Sequence, residues 1–377
     1  MRIVVVGGGT GGTIVANNLA RRLAAEIRSR KVRIMMLSDT DRHMYQPGLL
    51  YVAFGQMTPD QLYRDQARLL EPDIEFHVDA VTEFHFDRNQ IGTESGKTHE
   101  YDILIIATGA RIVPDEVPGL KEGAEMFFTE ASAVRMHKRL LEFEGGTVAM
   151  TVSIPHKCPV APVEAMLMLH DFFKARGIRD QVKLRYHYPV NAVHATPNVA
   201  VWAKPEFEKA GIEYETFFNL KEVDAEERVI YSEEGSEVPY DLLVAIPPHR
   251  GSETAEKNAL GDAGWIPTDR YKLNVEGYDN VYAIGDATNI PVSKTGSAAH
   301  YEAEVLAENI ASLIKTGTTV REYDGKVFCF IEAGFDRATY NAFDYVNLPE
   351  LKPPSKANHW FKVAYNQMYW TSVRGLL

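Results

Sequence analysis

The sequence predicts an α/β fold: two Rossmann-like domains of the dinucleotide-binding type, followed by a C-terminal amphipathic helical tail. Three observations carry this expectation. A glycine-rich loop follows directly on a valine-rich strand at the N-terminus. Short apolar runs of strand length alternate with helix-length segments through most of the chain. The segment 352–377 is basic and aromatic within a chain of net charge −12.

Length and composition bound the rest. A chain of 377 residues has room for two cores, and 45% hydrophobic with 24% charged residues is ordinary for a globular protein. The acidic balance removes nucleic acid as a default partner. Two cysteines make no disulfide framework, and no metal-ligand spacing is present, so no metal is expected. Cys158 and Cys329 are therefore either small buried hydrophobes or reactive thiols. No apolar run reaches the ~18 residues of a spanning helix. The first residues lack the n-region and long h-region of a signal peptide. A soluble protein, or one lying on a membrane surface, is the expectation.

The elements follow in order. Arg2 to Val6 reads as a strand buried on both faces of a parallel sheet. Gly7, Gly9 and Gly12 then satisfy G-x-G-x-x-G before a helix expected over 13–28. Gly7 would make the tight turn, Gly9 would admit a pyrophosphate, and Gly12 would let helix and strand pack closely. The alternative is a plain glycine-rich turn. The second strand, 32–37, ends at Ser38-Asp39, where an acid can bind a ribose hydroxyl pair or simply cap a turn. An irregular loop containing Gln46 follows, then a strand over 75–81 and an extended hairpin over 82–100. The run 101–110 is a buried strand ending in Ala107-Thr108-Gly109. Pro114 and Pro118-Gly119 mark a crossover. The domains are accordingly placed at 1–111 plus 249–325, at 112–248, and at 326–377 for the C-terminal region.

In the second domain a helix is expected over 127–142, strands over 147–154, 182–188 and 241–246, and helices over 163–174 and 198–210. The strand 147–154 runs into Ile154-Pro155-His156-Lys157-Cys158-Pro159-Val160-Ala161-Pro162-Val163-Glu164. No glycine occurs between Thr147 and Arg176, so a backbone cradle for a second pyrophosphate is not expected there. A helix N-terminus, Lys157 and His156 would each favour a thiolate at Cys158. Val281 to Ala287 returns to the first domain as a buried strand delivering Gly285 and Asp286, and a helix over 297–313 follows. Lys294 can place a cation beside a bound anionic group, or can simply be solvated. Cys329 lies in a strand-like run with aromatic neighbours, the usual setting of a core cysteine.

The tail carries Lys352, Lys356, Lys362 and Arg374 and no acid. Phe361, Tyr365, Met368, Tyr369, Ser372 and Leu376 fall on one helical face, flanked by Trp360 and Trp370. Such a helix reads as a membrane-surface element. The alternatives are packing on its own domain or on a second subunit, which leaves a homo-oligomer open.

These residues resemble the sulfide:quinone oxidoreductases, with the flavoprotein of flavocytochrome c sulfide dehydrogenase a close relative. The carriers are the Gly7–Gly12 loop, Ala107-Thr108-Gly109, Cys158-Pro159-Val160-Ala161-Pro162 with Glu164, Gly285-Asp286, Lys294-Thr295-Gly296 and Cys329. The resemblance implies two FAD/NAD(P)-binding-type domains with non-covalent FAD between them. On the cofactor it places Gly7, Gly9, Gly11 and Gly12, then Ser38, Asp39, Gln46 and Val81, then Thr108, Gly109, Gly285, Asp286 and Lys294. It implies a Cys158–Cys329 redox pair that hydrosulfide attacks, leaving a persulfide on one sulfur while the freed thiolate reduces the flavin. It links Glu164 with proton transfer, against the alternative of an ordinary first-turn glutamate. Electrons would pass to a membrane quinone, with Phe330, Phe361 and Tyr365 as pocket candidates. The protein is then expected on the cell membrane as a peripheral protein, on an unassigned side. The third cysteine of many members is missing around 126–133, which puts subclass and product length in doubt.

Two other functions compete. A type II NADH:quinone dehydrogenase shares the fold but would want glycines where Cys158 stands. A sulfur-carrier or sulfide-sensing flavoprotein would use the same cysteines without passing electrons to quinone.

Overall fold

The computed structural model describes residues 1–376; Leu377, the last residue of the expected C-terminal region, lies outside the described residues. A five-stranded parallel sheet runs in the order Val281–Ala283, Ile103–Ile106, Arg2–Val6, Arg33–Ser38, Ile74–Val78. Val4 lies between Leu104 and Met35 in register. Ile103–Ile106 is buried at every position, because both faces of this sheet are covered. On one face the helices Thr10–Arg22 and Gly296–Thr316 pack against each other. Val4, Val6, Leu104 and Ile106 face the other side, where they share a core with Val81 and Ile91 of the antiparallel strands Val81–His85 and Gln90–Thr93.

A second parallel sheet runs Ile212–Thr216, Val182–Tyr188, Gly146–Val152, Leu242–Ile246. Helices Glu130–Glu142, Ala161–Ala175 and Pro197–Ala210 contribute Met136, Leu169 and Phe207 to its core. The chain crosses between the two sheets on paired strands, with Ala110 opposite Gly251 and Ile112 opposite His249. The α/β, two-domain Rossmann-type reading is therefore borne out.

The C-terminal region ties both units together. Hairpin Val327–Glu332/Ala338–Phe343 sends Ile331 into the second core, while Val373 is buried in the first. Helix Lys356–Gln367 is followed by a short turn of helix, Tyr369–Ser372.

Several boundaries differ from expectation for identifiable reasons. The helix expected over 13–28 divides at the buried Leu23 into Thr10–Arg22 and Ala24–Arg28. The strand expected over 75–81 ends at Val78, where Asp79 accepts hydrogen bonds from Thr93 Oγ1 at 2.8 Å and from Ser95. The helix expected from Phe127 begins at Glu130 behind a Thr129 capping box, which leaves Phe127 and Phe128 stacked at 5.0 Å. The loop after Gln46 contains an unexpected buried helix, Gly48–Ala53, which packs into the second core.

Candidate active site

The residues that meet at one cavity come from both sheets and the C-terminal region. Gly9, Gly11, Gln46, Gly109, Gly285, Asp286 and Lys294 line it, with Cys158, Glu164, Cys329, Phe330 and Tyr365. It holds about 1680 Å³ of empty space, counting its open mouth.

The glycine loop shows why each glycine is there. Gly7 has φ +107°, and a Cβ on it would stand 2.4 Å from the Ala107 carbonyl oxygen. A Cβ on Gly12 would stand 2.0 Å from the Gly7 carbonyl oxygen, so only glycine lets strand and helix approach here. Gly9 is different: a Cβ there meets nothing within 4 Å and would project into open space where a bound group can sit. The loop opens the helix Thr10–Arg22, whose free N–H groups suit a phosphate. These features fit a dinucleotide cofactor.

Six expected cofactor residues do not line the cavity, among them Gly7 and Gly12, which shape the loop. Ser38 is buried beside Gly8, while Asp39 is exposed at the strand end. Val81 belongs to the core under the sheet, and Thr108 donates its hydroxyl to Ser252 Oγ at 2.9 Å. Lys294 reaches backbone carbonyls, Thr288 at 2.5 Å and Ile290 at 3.3 Å, and burial lowers its pKa against the pull of Asp286 and Glu302.

Cys158 sits in the turn after Gly146–Val152 with φ +53°, a left-handed conformation held from both sides. Its N–H donates to the Lys294 carbonyl at 2.8 Å, and its carbonyl accepts from the Ala161 N–H at 3.0 Å. Cys329 lies on strand Val327–Glu332 opposite Asn341. Both are free thiols. Burial pushes Cys158 well above the usual thiol range, with Glu164 and Cys329 adding to it. Burial and Glu164 likewise push Cys329 up to about 12. The expected thiolate at Cys158 is thus overturned. Burial lowers the Lys157 pKa, and its ammonium is turned to Gln46 Oε1 at 2.8 Å. Burial also lowers His156 to about 4, so it is neutral near pH 7 and supplies no positive charge. Both sulfurs rest protonated and need a nearby base.

Glu164 is buried in the same cavity and is more than a first-turn helix residue. Its Oε1 accepts from the Glu332 N–H at 2.8 Å and from the Lys362 ammonium. Lys362 also lies 3.9 Å from Glu332 Oε1, which accepts the Tyr51 hydroxyl at 2.9 Å. Glu332 Oε2 meets His359 Nδ1 at 3.0 Å. Burial pushes the Glu164 carboxyl up although Lys362 pulls it down. Burial opposes the Lys362 ammonium, but Glu164, Tyr51 and Glu332 overcome it and hold its pKa well above the usual value.

The tail helix therefore needs correcting. Lys362 is a buried partner of Glu164, and no basic residue of a membrane face. Tyr369 and Ser372 also turn inward: Tyr369 Oη meets Thr10 Oγ1 at 2.9 Å and His43 Nε2 at 2.7 Å, and Ser372 Oγ meets His300 Nδ1 at 3.2 Å. Trp370 receives Arg64 over its ring at 4.8 Å. The outer face is instead Trp360, Phe361, Tyr365 and Met368, exposed by 69, 65, 47 and 45%. Phe361, expected beside the cavity, points out with them. At the mouth, Phe330 lies 5.1 Å from Phe328, 5.8 Å from Tyr365 and 6.3 Å from Tyr340, ring centre to ring centre.

Sequence reasoning missed Lys362 and Tyr51 as cavity residues, and Glu332 and His359 as the groups behind the cavity wall. A second helical stripe was present in the tail, at His359, Lys362, Asn366, Tyr369 and Val373, and it is the stripe that faces inward. For Glu332 and Tyr51 the sequence held no local signal.

A cofactor loop and two thiols from different units at one cavity define a flavin-dependent oxidoreductase. Residues 1–304 match the family described as "Pyridine nucleotide-disulphide oxidoreductase", and the chain belongs to that family. Among proteins of known function, the chain is 28% identical over 360 residues to the mitochondrial sulfide:quinone oxidoreductase of Mus musculus, covering 92% of this chain and 79% of that one. It is 26% identical over 404 residues to the sulfide-quinone reductase of Aquifex aeolicus, covering 99 and 91%. The solved sulfide:quinone oxidoreductase of Aquifex aeolicus superposes with a TM-score of 0.86 over 99% of this chain and 91% of that chain, at 25% identity. The resemblance read from the residues is thereby borne out. The Plasmodium falciparum NDH2 structure in complex with NADH, at 17% identity and TM-score 0.74 over 100% of this chain and 96% of that chain, shares the fold.

Proposed function

We propose that this chain oxidises sulfide to sulfane sulfur through Cys158 and Cys329 and passes the electrons by non-covalent FAD to a membrane quinone. The observation that carries the reading is the meeting of two thiols with the glycine loop at one cavity, where the second domain has no glycine cradle for NADH. Gly9, Gly11, Gly109, Gly285, Asp286 and Lys294 would hold the cofactor, which supplies two-electron transfer between thiols and quinone. Gly7 and Gly12 shape the loop, and Ser38 and Asp39 stand at the strand end where a ribose would reach.

The protein's own part is to hold protons and exclude water. Both thiols are half-buried and protonated, so each deprotonation needs an acceptor at the cavity, and Glu164, whose charge acts on both sulfurs, is the candidate. Hydrosulfide opening a Cys158–Cys329 disulfide would place its sulfur on one cysteine and free the other as a thiolate. The aromatic mouth of Phe328, Phe330, Tyr340 and Tyr365 suits a flat apolar quinone. It lies beside the exposed Trp360, Phe361 and Met368 face, which supports docking on a membrane surface. Among the described residues, no helix is long and apolar enough to cross a membrane.

The test is anaerobic titration of the bound flavin with sulfide and with NADH, followed by soluble quinone. Sulfide should bleach the flavin and quinone should restore it. Bleaching by NADH alone would point to an NADH:quinone dehydrogenase, and bleaching by sulfide with no reoxidation would point to a sulfur carrier.

A further inference from the structure

We propose that Glu164, Lys362, Glu332 and His359 form a buried proton store joining the thiol–quinone cavity to the protein surface. One mobile proton has two resting places in it, Glu164 at the inner end and His359 at the outer. The proposal rests on the quinone reading above.

The charge count requires such a proton. Glu164, Glu332 and Lys362 are 5, 1 and 8% exposed. Two buried carboxylates sharing one ammonium leave an uncompensated negative charge, which is costly in a low-dielectric interior. The charge is removed if Glu164 takes a proton, or if His359 takes one beside Glu332. Among the described residues, the other polar contacts of this group are neutral: Tyr51 and Asn366 are neutral donors, with Asn366 Nδ2 donating to the Tyr51 hydroxyl at 3.1 Å. Lys356, nearer the start of the same helix, is already paired with Asp336 at 3.1 Å.

The geometry lets the proton move. His359 Nδ1 lies 3.0 Å from one Glu332 oxygen, and the other lies 3.9 Å from Lys362, whose ammonium is bonded to Glu164. The side chain of His359 is 16% exposed, so its outer edge can exchange with water. Glu164 and Lys362 both line the cavity that holds Cys158 and Cys329. Three distant parts of the chain, Ala161–Ala175, Val327–Glu332 and Lys356–Gln367, converge to build this line.

The reaction needs it. Hydrosulfide, quinone and one proton give sulfane sulfur and quinol. Two electrons leave the sulfur, and both quinol oxygens are protonated. One proton comes from hydrosulfide and is available to Glu164. The other must enter from the bulk, and the store admits it through His359. His359 acts through Glu332 and Lys362, touching no reacting atom, and is a positioning residue for that proton.

The test compares the two half-reactions of His359→Gln, whose amide can still donate to Glu332 but cannot titrate. Sulfide-driven flavin reduction should change no more than about twofold. Reoxidation by soluble quinone should slow about tenfold or more, change its pH profile, and recover in part with added imidazole. Infrared spectra give a readout without turnover. The wild type should show a protonated-carboxyl band that Glu164→Gln removes; in His359→Gln, where the proton has no second resting place, the band should strengthen. Wild-type reoxidation and pH profile in His359→Gln overturn the proposal while leaving the function intact. Equal loss in both half-reactions without imidazole rescue makes His359 merely structural and also overturns it. Failure of wild-type protein to pass electrons from sulfide to quinone refutes the underlying function instead.

Discussion

Replacing Lys362 with methionine isolates the electrostatics of the cavity wall. The volume is nearly kept, but Glu164 and Glu332, 5 and 1% exposed, lose their shared cation. Removing one partner of a buried ion pair costs ~3–5 kcal/mol. The cost has a ceiling, because Glu164 can take a proton. Its pKa is already raised by burial against the downward pull of Lys362, and without Lys362 it rises further. The sign follows from linkage: a carboxyl whose folded pKa exceeds its unfolded value binds more protons when folded, so its stability contribution is lost as pH rises above the ordinary carboxyl range. At pH 8 the full ~3–5 kcal/mol should appear. Lowering the pH should recover up to ~1.4 kcal/mol per unit, leaving a small penalty near pH 5. Urea midpoints of flavin-loaded wild type, Lys362→Met and Glu164→Gln/Lys362→Met, taken from pH 5 to 8, provide the assay. The double variant should regain at least half of the loss at pH 8 and lose the pH slope. A penalty equal at both pH values, or a double variant no more stable than the single, would refute the reasoning.

The remaining substitutions probe separate parts of the site. Cys158→Ser and Cys329→Ser should each abolish sulfide-driven flavin reduction with flavin still bound; a wild-type bleaching rate in either rules out the two-thiol route. Gly12→Ala forces a Cβ to 2.0 Å from the Gly7 carbonyl oxygen, an overpacking cost of ~1–3 kcal/mol or more, whereas Gly9→Ala should keep its melting temperature without flavin and lose flavin affinity, as flavin fluorescence would report. Trp360→Glu and Phe361→Glu each remove an exposed aromatic from the outer face, at ~1.5–3 kcal/mol if it enters lipid; vesicle sedimentation should weaken about ten- to hundredfold for each, and unchanged binding would remove this face as the anchor. Burial raises Glu302 to about 7 although it accepts the Gly285 N–H; stability should therefore fall as pH rises from the ordinary carboxyl range to about 7, and Glu302→Gln should flatten that slope in thermal melts.

What the sequence makes legible is what local sterics and periodicity control. Val182–Tyr188 is read at its observed bounds because strand alternation and flanking turns are local signals. The Gly7–Gly12 loop is equally readable, since Gly7 and Gly12 answer clashes with backbone a few residues away or on the adjacent strand. Phe127 and Phe128 were misread as helix because a cap three residues on decides where the helix begins. The thiolate at Cys158 failed for a different reason. Lys157 is its neighbour in sequence, but its ammonium is bonded to Gln46, and burial of the sulfur outweighs the pull between them.

The tail shows the same division most sharply. Its outer stripe is visible as a run of aromatics and methionine, because solvent or lipid asks only for an apolar surface. Its inner stripe holds Lys362, and a lone lysine in an aromatic helix reads as a surface cation until its partners are known. Those partners are Glu164 and Glu332, 198 and 30 positions away in the numbering. No periodicity reports a pairing over such separations; only the closing of the hairpin Val327–Glu332/Ala338–Phe343 onto the second domain creates it. One helix thus offers an apolar face outward beside the cavity mouth and, a third of a turn away, delivers the cation that holds the cavity's carboxylates. Deleting the tail would remove both at once. Membrane docking and proton handling therefore separate only under point substitution: Phe361→Glu should weaken vesicle binding with a wild-type pH profile for soluble quinone, and His359→Gln should do the reverse.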